Sequence, residues 1–146
     1  MIVYRVEGPG GEGPYNGGVV KGWLQPGPAT VSLYEKYPTF QPAPWKYDDP
    51  KKLYDIADGR FAFATLEQFR NWWNMDDVRV GGQWERMRDA GYYVRLYKVA
   101  KKYVRADNYQ AVFHAPKGKV VKEFSLTRFP TPLDAVATIT TEVLNA

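Results

Sequence analysis

The chain has no cysteine and one histidine, His114, among its 146 residues. The first absence excludes disulfides, thiolate metal sites and cysteine nucleophiles. The second excludes a histidine metal cluster and argues against a His-centred triad. No apolar run approaches the ~20 residues that a membrane-spanning helix needs. The opening Met1-Ile2-Val3-Tyr4-Arg5 has no basic start followed by an apolar stretch, so no signal peptide is expected and a cytoplasmic protein is. Adjacent acids occur as Asp48-Asp49 and Asp76-Asp77. Neighbours on an extended chain point apart, and Asp in turns bonds its own backbone, so neither pair reads as an acid–base dyad. No catalytic residue and no metal ligand is assigned.

What remains suits one domain with one core. Hydrophobic residues make up 45% and charged residues 25%, as in ordinary globular chains. Aromatic residues reach 16%, eleven of them Tyr, which suits half-wet surfaces as well as thick sheets. The net charge of +4 favours phosphate-bearing partners.

The order of elements predicts an α+β domain. Its antiparallel or mixed sheet carries two or three helices, with a long irregular insertion after the first strand. Ile2–Val6 reads as that strand. Residues 7–59 hold eight of the eleven prolines, with glycines crowded between Gly8 and Gly27. Trp23, Tyr34, Tyr37, Phe40 and Trp45 argue that this insertion is an ordered layer over the sheet. Short apolar pieces within it, Val19-Val20 and Val31–Tyr34, suit brief strands or turns. The glycine-rich start, Gly8 to Gly18, is followed by no Lys-Ser or Lys-Thr, so it reads as turns rather than a phosphate cradle.

Arg60–Ala64 is strand-like and leads into a helix over about Leu66–Asn74. Thr65 is its N-cap and Gln68 completes a capping box. Leu66, Phe69 and Trp73 share one face, with Trp72 to one side. After a turn at Asp76–Gly82, a second helix spans Gln83–Ala90 and ends at Gly91. Tyr92–Val99, Tyr109–His114 and Val120–Leu126 follow as strands separated by turns, which suggests a meander. The first strand is expected in the same sheet as Tyr92–Val99 and Tyr109–His114. In the tail, Thr131, Pro132 and Asp134 form a helix-start signature over 131–146. Leu133, Val136, Ile139 and Val143 follow at helical spacing.

Basic residues gather between Arg95 and Lys122 and interleave with Tyr92, Tyr93, Tyr97, Tyr103 and Tyr109. Such strands bind nucleic acid in some proteins and are solvated sheet faces in more. Long nucleic acid is therefore the less favoured partner.

The opening Val3-Tyr4-Arg5-Val6, the strand-to-helix passage Phe63-Ala64-Thr65 and the later Asn108-Tyr109-Gln110 ahead of Ala111-Val112-Phe113 together resemble a reduced ADP-ribosyltransferase core. In that family an Arg on the first strand holds the dinucleotide's phosphates, and Arg5 matches it. A Ser-Thr-Ser motif supports the nicotinamide pocket, and here Thr65 alone remains. The catalytic Glu opens a later apolar strand, and Gln110 stands in its place. Glutamine offers the same hydrogen-bonding shape without the charge that a cationic ribose needs. The resemblance thus implies a nucleotide-shaped pocket without its chemistry. Independently of it, Tyr15, Trp23 and Trp45 lie in the aromatic insertion near Arg5 and are expected as stacking rings. A free-standing small chain of this kind also resembles bacteriophage accessory proteins of the anti-defence type, placing it in the host cytoplasm.

Three functions remain open. The first is a non-enzymatic binder of a phosphorylated nucleotide-type ligand, a host signalling nucleotide among them, at Arg5, Tyr15, Trp23, Trp45, Thr65 and Gln110, with no cofactor. The second is an active NAD-dependent transferase in which Asp107 or Glu123 replaces Gln110. The third is an inhibitor of a host protein through a flat apolar patch, with the tail helix as candidate.

Overall fold

A computed structural model describes residues 1–14, 56–74 and 82–145. Tyr15, Trp23, Trp45, the apolar pieces of the insertion and most of the Asp76–Gly82 turn lie outside the described residues. The described part holds six strands, in order β1 (Ile2–Glu7), β2 (Gly59–Ala62), β3 (Tyr93–Lys98), β4 (Val104–Ala106), β5 (Ala111–His114) and β6 (Lys119–Ser125). Its three α-helices are α1 (Leu66–Trp73), α2 (Gln83–Asp89) and α3 (Pro132–Ile139). The expected α+β class is what the chain adopts.

The strands form two antiparallel three-stranded sheets, ordered β1-β3-β6 and β2-β5-β4. This divides what the sequence suggested was one meander. β3 pairs with both β1 and β6, so the first strand does share a sheet with Tyr93–Lys98. β5 instead turns back on β2, with Ala62 opposite Ala111 and Arg60 opposite Phe113. Tyr109 and Gln110 are not in β5. They belong to the turn of the β4–β5 hairpin, where Asp107 Oδ1 accepts from the N–H groups of both, at 2.7 and 2.8 Å. That local bonding is the Asx chemistry that favours Asp in turns. One bridge joins the sheets: Tyr4 and Phe63 exchange backbone hydrogen bonds of 2.9 and 2.7 Å.

Period-2 alternation gives the first sheet two different faces. Tyr4, Val6, Val94, Leu96 and Phe124 point to the helices and join the main core with Phe69, Trp84 and Met87. Val3 and Tyr97 point the other way, into a smaller cluster with Ala62, Val99 and Phe113. Burying a side chain as large as Phe69 or Trp84 is worth about 1.5–3 kcal/mol.

Capping fixes the helices. Thr65 Oγ1 accepts from Gln68 N–H at 3.1 Å, while Gln68 Oε1 reaches back to Ala64 N–H at 2.9 Å. Thr131 and Asp134 form a reciprocal capping box ahead of α3. Gly91, with φ +80°, follows α2 in the left-handed conformation that glycine adopts without strain. Two readings of helix faces change. Trp72 is buried with Phe69 and Trp73, its ring 5.8 Å from that of Phe63. In α3 the buried residues are Pro132, Ala135 and Ile139, while Leu133 is 47% exposed. Beyond Ile139 the chain widens into a π turn over Thr140–Leu144, where Thr140 Oγ1 donates to Val136 O at 2.7 Å.

Candidate functional site

The second face of the first sheet carries an unusual load of charge. Arg5 and Glu7 are two residues apart on β1, so they share that face with Val3. Arg5 lies opposite Arg95, and Arg95 lies opposite Glu123. The row Arg5–Arg95–Glu123 therefore crosses all three strands.

Glu7 is fully buried and is the centre of the group. Its Oε2 accepts from Arg5 Nε at 2.6 Å, and its Oε1 from Arg95 Nη1 at 3.0 Å. The Tyr97 hydroxyl donates to Oε1 as well. A third guanidinium approaches from β2, with Arg60 Nη1 4.0 Å from Oε2. The other Arg5 donors reach Phe61 O at 2.5 Å and Gly11 O at 3.1 Å. Arg95 also binds Glu123 at 2.9 Å, and its guanidinium carbon lies 4.8 Å above the Tyr93 ring. A charge removed from water is costly unless it is paired and hydrogen-bonded, and this group meets both conditions.

The environment shifts two of these residues in definable directions. Burial pushes the Tyr97 hydroxyl up to about 12, helped by its bond to Glu7 and that carboxylate's charge. Burial alone would lower Arg95, but hydrogen bonds and attraction from Glu123 and Glu7 outweigh it and raise its pKa.

A tight turn closes the cluster. Gly8 N–H donates to Glu12 O at 2.8 Å and Gly11 N–H to Gly8 O at 2.9 Å, so these amides serve the turn. Gly11 has φ +84°, and a Cβ there would lie 3.2 Å from Arg60 Nη1. Beside the turn, the Tyr92 hydroxyl is buried with no hydrogen-bond partner among the described residues. Burial and the charge of Glu12 raise its pKa, against the opposing charge of Arg5.

Among the residues singled out from sequence, Arg5 is in this cluster. Thr65 caps α1, and Gln110 is buried in the β4–β5 turn. Gln68 ties this cap to the β4–β5 turn at Asp107: its Nε2 donates to Asp107 O at 2.8 Å while its N–H bonds Thr65. No hydrogen bond among those described joins any two of Arg5, Thr65 and Gln110. Glu7 and Arg60 were not singled out, and Arg95 and Tyr97 were named only among the basic and aromatic residues of the later strands. The signal for them was the period-2 pattern, with Arg-x-Glu on one strand and Arg-x-Tyr on another.

Of the carboxylates considered as substitutes for Gln110, Asp107 holds its turn and Glu123 binds Arg95. Among the described residues no group of three His, Asp or Glu side chains is placed to hold a metal ion, and no helix is long and apolar enough to cross a membrane. Exposed large apolar residues on α3 and the π turn, Leu133 and Leu144, are eleven positions apart.

Comparison with known proteins matches residues 1–127 to the family described as Bacteriophage T4 Y00F protein. No curated protein and no solved structure matches. The match agrees with the phage kinship read from the sequence and carries no information on ADP-ribosyltransferases.

Proposed function

The chain belongs to the bacteriophage T4 Y00F protein family, and we propose that it is a non-enzymatic binder of a phosphorylated, nucleotide-type ligand, acting in the infected cell by sequestering a host signalling nucleotide. The observation that carries this reading is the convergence of Arg5, Arg60 and Arg95 on the single carboxylate of Glu7. Two of these guanidiniums are tied to Glu7 by hydrogen bonds. Arg60 is not: its side chain is 42% exposed and makes no hydrogen bond among the described residues. It is the member left to meet an incoming phosphate. Arg5 and Arg95, paired with Glu7 and Glu123, hold the Glu7 carboxylate in place beside Arg60, and the buried Tyr92 hydroxyl supplies a polar group in need of a partner. Tyr15, Trp23 and Trp45 remain the proposed stacking rings, each worth roughly 1–3 kcal/mol against a base. An enzymatic role has less support, because a transferase needs a carboxylate where Gln110 stands and both substitutes are engaged elsewhere.

Calorimetry against a panel of cyclic and linear nucleotides tests the reading, together with mass measurement of any ligand carried through purification. Arg60→Ala is the informative variant, because its side chain is half outside. A charge-assisted bond to phosphate is worth about 1.5–3 kcal/mol, so binding should weaken roughly 10- to 100-fold with folding unchanged. An absence of heat across the panel, with no copurified ligand, refutes the proposal and favours the host-protein inhibitor.

A further inference from the structure

The charge of this chain is polarised along its sequence. Residues 98–122 hold seven Lys and Arg and one acid, Asp107, a net +6. The remainder holds thirteen Lys and Arg against fifteen Asp and Glu, a net −2. The fold brings most of that excess to one end of the first sheet, where β3 ends and β6 begins. Lys98 lies directly opposite Lys119 on neighbouring strands. The Lys102 and Lys117 Nζ atoms lie 5.1 and 5.8 Å from the centroid of one ring, that of Tyr103. His114 stands beside the same ring, at 5.9 Å between centroids. Lys101 precedes this group in the same turn, and Arg105 follows it on β4, the outer strand of the second sheet.

Two comparisons separate this surface from an ordinary solvated face. Among the described residues the ion pairs use Arg5, Arg60, Arg88, Arg95 and Arg128, and none of the seven cations at 98–122 takes part. The local acid does not neutralise them, since Asp107 Oδ1 is bound by two backbone N–H groups. Like charges directly opposite on a sheet are also destabilising, so Lys98 and Lys119 work against the fold they belong to. An anionic partner laid across the surface removes that cost.

We propose that this surface binds nucleic acid through its phosphate backbone, without reading sequence. Six of the seven cations are lysines, point charges suited to phosphate rather than to bidentate base contacts. Tyr103 is half-buried with lysine ammonium groups near its ring, so it organises the cations and does not stack bases. The proposal uses none of the residues of the Arg5–Glu7 cluster, and neither proposal depends on the other.

The test is fluorescence anisotropy with a labelled DNA of about twenty nucleotides, single-stranded and duplex, from 50 to 200 mM salt. Five phosphate contacts give a log–log slope of about −4.5 on duplex and a loss of roughly 10²–10³-fold in affinity over that range. The Lys102→Gln/Lys117→Gln variant alters two exposed side chains and should reduce the slope by about 1.8. Arg70→Gln, an exposed change on α1, should leave it unaltered. Absence of binding at 50 mM salt, an unchanged slope in the double variant, or equal competition by polyglutamate of the same charge overturns the proposal. A preference for single strands overturns the backbone-only mode.

Discussion

Arg5 Nε lies 2.6 Å from Glu7 Oε2, two residues along the same face of β1, with the arginine side chain 8% exposed and the glutamate side chain fully buried. Glu7→Gln would keep the shape of this contact and remove its charge. Arg5 would then stand opposite Arg95 without a carboxylate of its own, while Arg95 would keep Glu123. Breaking a buried pair costs about 3–5 kcal/mol. Urea denaturation should show a loss of that order. The Arg128–Glu142 pair, with both side chains at least 41% exposed, should cost at most ~1 kcal/mol on Arg128→Ala. Similar losses in the two variants would show that Glu7 is solvated in solution.

Tyr97 predicts a loss of stability at high pH. Its folded pKa is raised from 10 to about 12, by burial first and then by Glu7. Between those values the folded state holds a proton that the unfolded state has lost. Stability is therefore complete below about pH 10 and falls as pH rises towards 12. Unfolding midpoints measured from pH 9 to 11.5 should decline, and Tyr97→Phe should flatten that decline. A Tyr97→Phe profile as steep as that of the parent would assign the decline to other groups.

Thr131→Ala removes the cap of α3. Thr131 Oγ1 accepts from Asp134 N–H at 3.3 Å, and Asp134 Oδ2 accepts from Thr131 N–H at 2.9 Å. Loss of such a cap costs about 0.5–2 kcal/mol. α3 contributes Ala135 and Ile139 to the main core, so the change should appear in global unfolding rather than as local fraying. Thermal melts followed at the aromatic signal of the core would show this.

Caps were legible in the sequence because they are local. Thr65 with Gln68, Thr131 with Asp134, and Gly91 each carry their geometry within three or four residues. Sheet partition was not legible. The run from Tyr92 to Leu126 reads as consecutive strands, and nothing local says that Ala111–His114 pairs back to Gly59–Ala62. Pairing is decided by long-range burial, here by Phe113 entering the cluster with Val3 and Tyr97. The site shows the same division. Arg5 could be named from its strand, but the residue that neutralises it, Glu7, looked like the start of the insertion. Arg95 arrives from 90 residues away and Arg60 from 55.

The last prediction concerns chemistry. Purified protein should release no nicotinamide from NAD: on the transferase resemblance read from the sequence, Gln110 takes the place of the catalytic Glu. The structure gives that expectation a local reason. Gln110 is buried in a turn whose backbone N–H is already bound by Asp107 Oδ1 at 2.8 Å, and that bond commits the nearest acid in sequence to the turn. Gln110→Glu therefore asks whether the position faces a substrate. If it does, the new carboxylate can stabilise a cationic ribose, and nicotinamide release should appear that a further Arg60→Ala change weakens. If Gln110 only fills the turn, the variant places an unpaired carboxylate in a buried site. It should then lose stability by several kcal/mol with no gain of activity. Release by the unmodified protein would refute the non-enzymatic reading outright.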